Sequence, residues 1–508
     1  MKNKFLSILL FLTPLLTFAQ EEVGLDQKID KAFKPISDFF SNIIFFPIYE
    51  NDTITIPFVL LLLVVSAAFF TIYFGFPNIR FFGKAINVVR GKYDHESQEG
   101  EVTHFQALAT AVSGTVGNGN IAGVALAIAL GGPGATFWMV ICGLLGMSTK
   151  FVECTLGVQY RDVGEDGTVY GGPMYYISKG LKERGFEIIG KIAAVIFAIF
   201  CIGGSFGGGN AAQSNQATSP AAGAIIGVIL AILVGIIIIG GIKRIATVTE
   251  KVVPFMAVLY VVACLYIIFS NFSLIDDAFA LIYREAFNPT AIGVGGFIGV
   301  LLVGFKRAAF SNEAGAGSAS IAHSAVKTKY SASEGLVALL DPFIDTVVIC
   351  TMTALVIIIF NFGGDASGAS IFQYGGDGSG AVIIDGASYE GAGITQKAFA
   401  TYIPYSNVFL TIAVVLFAVS TMISWSYYGL QSWKYLFGRG KTADMVYKLL
   451  FLMFVVIGAA ASMKSIWDFS DAMIFAMVFP NMIGLFFLFP VVKKQLKRYL
   501  EAIKLGKE

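Results

Sequence analysis

Long uncharged apolar runs constrain this chain more than any other feature of its sequence. Between Ala221 and Ile242, for example, there is no charged residue, and a run of about 20 apolar residues can cross a bilayer as a helix. Charged residues make up 14% of the chain, against about a quarter in soluble domains. A soluble α/β fold is therefore excluded, and the sequence predicts an all-α protein embedded in a lipid bilayer.

Eleven of these runs predict transmembrane helices. They cover residues 57–77, 103–131, 133–160, 188–208, 220–242, 249–271, 291–325, 333–361, 405–430, 443–463 and 468–492. Lysine and arginine concentrate in every second connection, whereas the other connections after the first span carry only Arg284, Lys397 and Lys464. Because basic residues stay on the cytoplasmic side, we expect an external N-terminus and a cytoplasmic C-terminus.

Residues 1–19 have the features of a secretory leader. Two lysines precede an apolar stretch that ends in a small residue, Ala19, which is the order of a bacterial signal peptide; an uncleaved first helix is the alternative. We expect cleavage after Ala19, an external segment over 20–56, one transmembrane domain over 57–492 and a cytoplasmic tail over 493–508. The predicted location is the bacterial inner membrane, with a periplasmic N-terminus.

The second and seventh predicted spans are interrupted by glycines and polar residues. The interruptions are SGTVGNGN over 113–120 and FSNEAGAG over 310–317. A glycine costs about 1 kcal/mol in a helix interior, and non-helical backbone persists at membrane depth only where it lines a cavity or is buried in protein. Each interrupted span opens a block of five spans, over 103–271 and 291–492. The pattern predicts a five-plus-five inverted repeat with one extra N-terminal helix, which is typical of secondary transporters.

The chemistry of the two interruptions points to a small zwitterion. Unwound backbone frees carbonyl oxygens for a cation or an ammonium group, and the helix that restarts offers N–H groups to a carboxylate. Trp425 and Phe310 are bulky enough to favour a small side chain. Close packing of helices through small residues is the alternative, but it does not explain the polar Asn118, Asn120 and Glu313 beside the glycines.

Several charged residues fall within predicted spans. Lys150 and Glu153 are spaced i, i+3, so a pair within one helix is the simpler account, whereas Asp341 and Asp345 share a helix face and could belong to a coupling network. Glu313 is the candidate gate or counter-ion of the site.

Two adjacent basic residues, Lys306 and Arg307, lie in the seventh span. Structural pairing and a coupling role are both open for them, because unpaired charges at that depth are costly.

Four motifs resemble the signature blocks of the alanine or glycine:cation symporter family. They are GTVGNGNIAGVA, GGPMYYI over 171–177, FSNEAGAGSASIAHSA and STMISWSYYG over 420–429. The resemblance covers nearly the whole chain after about residue 57. It implies the leucine-transporter-like fold of the amino acid–polyamine–organocation superfamily. It also implies import of alanine or glycine, driven by co-transported sodium, through alternating access; no enzymatic activity is expected.

The same resemblance implies roles for individual residues. It places sodium against the carbonyl groups of Ser113 and Val116 and the hydroxyls of Ser420 and Thr421. The substrate contacts implied by the motifs are Thr115, Gly117, Asn118, Gly119, Asn120, Gln213, Phe310, Ser311, Asn312 and Trp425. Within this set, the second span would hold the substrate carboxylate and the 310–312 stretch its ammonium group. Asn118 departs from the family pattern, in which threonine is commoner.

Two other functions remain as alternatives. A proton-coupled carrier on the same fold would use Glu313 instead of a sodium site, and an ion channel would use the interruptions as a selectivity filter. Neither the net charge of +1 nor any other feature indicates a nucleic-acid partner, and no obligate protein partner is evident. The five cysteines and three histidines have no metal-site spacing.

Overall fold

The computed structural model describes residues 25–51, 54–93, 99–217, 223–288, 296–363, 370–375, 378–460 and 463–505. The predicted leader, 1–19, and the first residues of the seventh predicted span, 291–295, lie outside the described residues.

The described part of the chain is dominated by helices. In the first half they are α1 Leu25–Ile44, α2 Phe58–Tyr73, α3 Pro77–Arg80, α4 Phe82–Val89, α5 His104–Thr115, α6 Ala122–Gly131, α7 Gly134–Gln159, α8 Pro173–Glu183, α9 Glu187–Phe206, α10 Ala212–Gln216, α11 Gly223–Ile238, α12 Gly241–Ser270 and α13 Ile275–Phe287. In the second half they are α14 Gly296–Asn312, α15 Ala319–His323, α16 Ser331–Ala338, α17 Leu340–Pro342, α18 Thr351–Asn361, α19 Ala392–Tyr402, α20 Ser406–Phe437, α21 Lys441–Ala460 and α22 Met463–Lys504.

Short segments of other geometry complete the secondary structure. Gly207–Ala211 and Phe343–Cys350 are π-helical, and Asn118–Asn120 and Phe272–Leu274 are 3₁₀ turns. The strands form three antiparallel hairpins between helices, and they are β1 Pro47–Glu50, β2 Thr55–Pro57, β3 Asp162–Val163, β4 Val169–Tyr170, β5 Val382–Ile384 and β6 Ala387–Tyr389.

The prediction of a multi-pass membrane protein is confirmed. Among the described residues, seven helices are long and apolar enough to cross a membrane, and the bent pair α5 and α6 makes an eighth. Helix α2 and residues Ile225–Ile238 are apolar but shorter. The count of eleven spans and the inverted repeat stay predictions.

The predicted cytoplasmic tail is largely helical, and its boundary at residue 493 stays a prediction. Helix α22 continues to Lys504, through most of the segment predicted as a tail from residue 493. Tyr499 and Ala502 are buried in this extension. The helix therefore still has a face that packs against the protein beyond the predicted apolar span.

Both predicted interruptions are present in the structure. Helix α5 ends at Thr115 and α6 starts at Ala122, with a bend of 56°, and α14 ends at Asn312 while α15 starts at Ala319. Gly315 and Gly317 have φ angles of +95° and +87°, which glycine adopts without the steric cost of a side chain.

Helix α7 is the central element that positions the two interruptions. It packs against α14, α15 and α16, and its second half is buried, including the charged Lys150 and Glu153. Helix α5 packs against α12, α15 and α20. The interruptions of α5/α6 and α14/α15 therefore face a common space beside α20.

Candidate functional site

The interruption between α5 and α6 is held open by its own side chains. Val116 and Gly117 are extended, and the Asn120 side-chain oxygen accepts a hydrogen bond from the Gly117 N–H at 2.9 Å. This bond replaces the intrahelical bond that the break removes. The result is a fixed turn that leaves the regular helix at the level of the site.

The second interruption is fixed in a similar way. The Asn312 side-chain oxygen accepts a hydrogen bond from the Ala314 N–H at 3.0 Å, and its amide donates to the Thr346 hydroxyl at 3.0 Å. Glu313 follows with a left-handed φ of +55°, which is strained for a residue with a side chain. This conformation directs the chain away from the helix axis at the level of the site.

A small polar cavity lies between the two interruptions. Its lining residues are Gly114, Thr115, Gly119, Gly208, Gln213, Phe310, Ser311, Glu313, Thr421, Trp425 and Ile474. Eight of these are among the residues singled out from the sequence. The structure adds Gly114, Gly208 and Ile474, of which the first two lie in glycine-rich stretches that could have marked them; Ile474 carries no such signal.

Seven residues that the motifs imply do not line the cavity: Ser113, Val116, Gly117, Asn118, Asn120, Asn312 and Ser420. All of them are nevertheless buried beside it. Asn118 illustrates their arrangement, because its N–H donates to Gln213 Oε1 at 3.0 Å and its amide to the Gln213 carbonyl at 3.2 Å. These residues hold the lining side chains in place.

Trp425 forms one wall of the cavity and is fixed by Glu313. The indole Nε1 donates to Glu313 Oε1 at 2.9 Å, and the other carboxylate oxygen accepts the Ser318 hydroxyl. Both side chains are at most 3% exposed. Glu313 therefore orients the aromatic wall, in addition to any role as a gate.

Two buried carboxylates lie directly behind the predicted substrate contacts. The Thr115 hydroxyl donates to Asp341 at 2.7 Å, while Asn120 and Ser311 donate to Asp345 at 2.6 and 2.9 Å. The Phe343–Cys350 π-helical segment carries Asp345 toward the site. Both carboxylates therefore support the interrupted helices from the eighth predicted span.

The expected pair between Lys150 and Glu153 is wrong. The Lys150 ammonium pairs with Asp341 on α17, and Glu153 accepts the Asn481 amide at 2.7 Å. The reason is that both side chains face neighbouring helices across a buried interface, where a charge needs a close partner. Lys150 thereby connects through Asp341 to the cavity residue Thr115.

Structural pairing is found for the two basic residues of α14. Lys306 and Arg307 both contact Asp471 of α22, at 3.0 and 2.6 Å. Arg307 and Asp471 are almost completely buried, so each charge offsets the desolvation of the other.

The four residues that the motifs assign to sodium lie together where α5 meets α20. The Ser113 hydroxyl donates to the Ser420 carbonyl at 2.7 Å, and the Thr421 hydroxyl is 3.5 Å from the Val116 carbonyl. Every donor atom is a neutral oxygen, the ligand type that hard cations prefer. Gly117 lies beside the Thr421 hydroxyl, where a side chain would crowd it.

Comparison with known proteins gives agreement over most of the chain. The family described as "Sodium:alanine symporter family" matches residues 42–508. Sodium/alanine symporter AgcS of Methanococcus maripaludis is 40% identical over 461 residues, covering 89% of this chain and 96% of that protein. The probable sodium/glutamine symporter GlnT of Bacillus subtilis is 34% identical over 466 residues, covering 90% and 91%.

One solved structure supports the fold. The crystal structure of MhsT in complex with L-phenylalanine superposes with a TM-score of 0.51 at 14% identity, covering 76% of this chain and 89% of MhsT. At this identity the similarity concerns the fold alone.

Proposed function

Because this chain belongs to the sodium:alanine symporter family, we propose that it imports a small neutral amino acid together with sodium by alternating access. The observation that carries the proposal is a small polar cavity bounded by both helix interruptions and by Trp425. Such a cavity offers a zwitterion opposite helix ends.

The proposed substrate orientation follows the two interruptions. The carboxylate lies against Gly119, the residue of the Asn118–Asn120 turn that lines the cavity ahead of α6. The ammonium lies against 310–312, where carbonyl groups end the helix α14. Trp425 and Phe310 limit the space for a side chain. The residues lining this space favour alanine or glycine over the larger substrate named for GlnT.

The proposed sodium ligands are the carbonyl groups of Ser113 and Val116 and the hydroxyls of Ser420 and Thr421. They join the interrupted α5 to the continuous helix α20, so bound sodium would stabilise one relative position of the two helices. Because a ligand shifts an equilibrium only by its differential affinity for the two states, this is how sodium binding would be coupled to the movement.

The eleven-span arrangement, with a periplasmic N-terminus and cytoplasmic C-terminus in a bacterial inner membrane, forms part of the proposal. It is supported by the alternation of basic connections. A five-plus-five inverted repeat would place the two interruptions at equivalent points near the midplane.

A proton-coupled carrier is the second candidate, since Glu313 is a titratable group in the cavity wall. Both of its oxygens already accept hydrogen bonds, from Trp425 and Ser318. These bonds give Glu313 a structural role in the cavity wall, whereas the oxygens around Thr421 provide a separate group of cation ligands. Sodium coupling is therefore the favoured mechanism.

Substrate choice is tested by competition against uptake of labelled alanine in membrane vesicles, with and without sodium. We expect unlabelled alanine, glycine and serine to compete and glutamine and phenylalanine to compete weakly. Counterflow of labelled alanine against preloaded unlabelled alanine distinguishes a carrier from a channel, because a channel gives no counterflow. Equal competition by glutamine would contradict the assignment of a small substrate.

Replacing Thr421 by alanine should weaken sodium binding while leaving the fold intact. One oxygen ligand contributes about 0.5–1.5 kcal/mol net, so the sodium concentration for half-maximal uptake should rise about two- to tenfold. Ser426→Ala is the matched control, because within the described part of the chain this buried hydroxyl bonds only to the Ile423 carbonyl of its own helix. An unchanged sodium dependence in Thr421→Ala would show that the ion site is misplaced.

Replacing Trp425 by alanine should loosen discrimination against larger amino acids. The space released could accept additional methylene groups, each worth about 1–3 kcal/mol in a fitted pocket, so discrimination should fall about tenfold or more. Inhibition constants of leucine and alanine measure the ratio. Trp433→Ala is the control, because it removes an indole from the same helix away from the cavity. Its ratio of leucine to alanine inhibition constants should equal that of the unaltered protein. The same ratio in Trp425→Ala would contradict the assignment of Trp425 to the substrate pocket.

A further inference from the structure

Helix α1 lies almost entirely ahead of the region that matches the family, which starts at residue 42. It packs along α22. Ser37 and Ile44 are buried against the protein, and the Ser41 hydroxyl donates to the Asp468 carbonyl at 3.4 Å. An additional segment of this chain is therefore docked on a transmembrane helix.

Phe45, the residue that follows α1, contacts two helices, α14 and α22. Its ring centroid is 5.3 Å from that of Phe475 on α22, and the Lys306 ammonium of α14 lies 4.6 Å from its ring centre. A cation over an aromatic face is attracted by the ring quadrupole. Phe45 thus connects α1 to both α14 and α22.

The lysine that Phe45 contacts belongs to a small ion cluster between the same two helices. Lys306 and Arg307 share the Asp471 carboxylate, and the Asp471 and Arg307 side chains are less than a tenth exposed. Separation of α14 from α22 at this level would require the cluster to break. Phe45 covers its more exposed member, Lys306, which is 33% exposed.

The ion cluster is continuous with the cavity. The Arg307 guanidinium lies 5.8 Å from the centre of the Phe310 ring, and Phe310 packs on Trp467 at 5.1 Å while it lines the cavity. A continuous series of contacts therefore links α1, through Phe45 and the ion cluster, to the cavity-lining residue Phe310.

We propose that α1 and Phe45 form an outer strap that stabilises the externally closed state by holding α14 and α22 together over the cavity. The strap rests on the proposed function, because it requires a cavity that opens alternately to the two sides. Without the strap the closed state loses a cation–aromatic contact and the packing against Phe475. The transporter would then open to the outside more often.

External opening can be measured with a cysteine placed in the cavity. In intact cells that express Ile474→Cys, a membrane-impermeant methanethiosulfonate reagent reaches the cavity only from outside. The protein without this change gives the background, since its own cysteines are buried or half-buried in the described residues. Adding Phe45→Ala to Ile474→Cys should raise the labelling rate about two- to fivefold, the factor expected for one cation–aromatic contact.

The matched control is Ile43→Ala, which removes an apolar side chain from α1 that is 51% exposed and should not change the rate. If Phe45→Ala does not reach the membrane, Phe45→Leu keeps the apolar bulk without the ring and should still raise the rate about twofold. A labelling rate unchanged in Phe45→Ala or Phe45→Leu overturns the strap. Sodium-driven alanine uptake by the unaltered protein in the same cells tests the proposed function separately.

Discussion

Lys150→Met is expected to abolish uptake and to lower the free energy of unfolding by about 3–5 kcal/mol. Lys150 is completely buried and pairs with the equally buried Asp341. Removing the ammonium leaves a carboxylate without its counter-charge inside the protein, directly behind the cavity residue Thr115. Uptake by quantified protein and thermal unfolding of the purified protein in detergent measure the two effects.

A double variant separates the charge effect from the loss of the lysine side chain. Lys150→Met with Asp341→Asn removes both charges while the amide oxygen can still accept the Thr115 hydroxyl, so stability should return close to that of the unaltered protein. Lys397→Met disrupts an exposed pair with Asp385 and should leave the unfolding temperature unchanged. Normal stability and normal uptake in the single variant Lys150→Met would show that the Lys150–Asp341 ion pair is not needed for folding or transport.

Gly117→Ala is expected to remove transport while the protein still folds. A Cβ atom on Gly117 would lie 3.0 Å from Gln213 Oε1 and would displace the Thr421 hydroxyl. The backbone at this position is extended, with φ of −140°, so alanine is not strained. Overpacking costs about 1–3 kcal/mol, which would weaken binding in the site about 5- to 150-fold.

Gly123→Ala is the control for this prediction. It lies in α6, and a Cβ atom there would have nothing within 4 Å. Uptake per folded transporter should be normal in Gly123→Ala and nearly absent in Gly117→Ala. Similar uptake by the two variants would show that the close approach at Gly117 does not limit function.

The helix interruptions were predictable because glycine and polar side chains are costly in a transmembrane helix. An apolar helix offers no compensation for the cost of residues such as Gly117 and Asn120 at membrane depth. Their presence therefore indicated backbone that lines a cavity. The capping bond from Gly117 to the Asn120 side chain is local, and local contacts of this kind follow from spacing along the chain.

The contacts between distant helices could not be predicted in the same way. Lys150 is one turn from Glu153 in sequence, yet its partner is Asp341, 191 residues away. Which buried charges form pairs depends on how the helices pack against one another. That packing cannot be read from residue spacing along a single sequence. Ile474 in the cavity wall was also not predicted. An apolar residue in an apolar helix carries no sequence signal that separates a cavity-lining position from an ordinary packing position.

The docking of α1 was equally inaccessible. The sequence predicted an external segment over 20–56, but that prediction does not identify the surface that the segment contacts. The contacts of Phe45 with Lys306 and Phe475 come from three separate parts of the chain.

Sodium-driven uptake by purified protein in liposomes tests the central claim most directly. An inward sodium gradient is imposed while the pH gradient is collapsed, and the accumulation of labelled alanine is followed. The account predicts accumulation above the external concentration with the sodium gradient and none when potassium replaces sodium. Accumulation of the same size without sodium would contradict it.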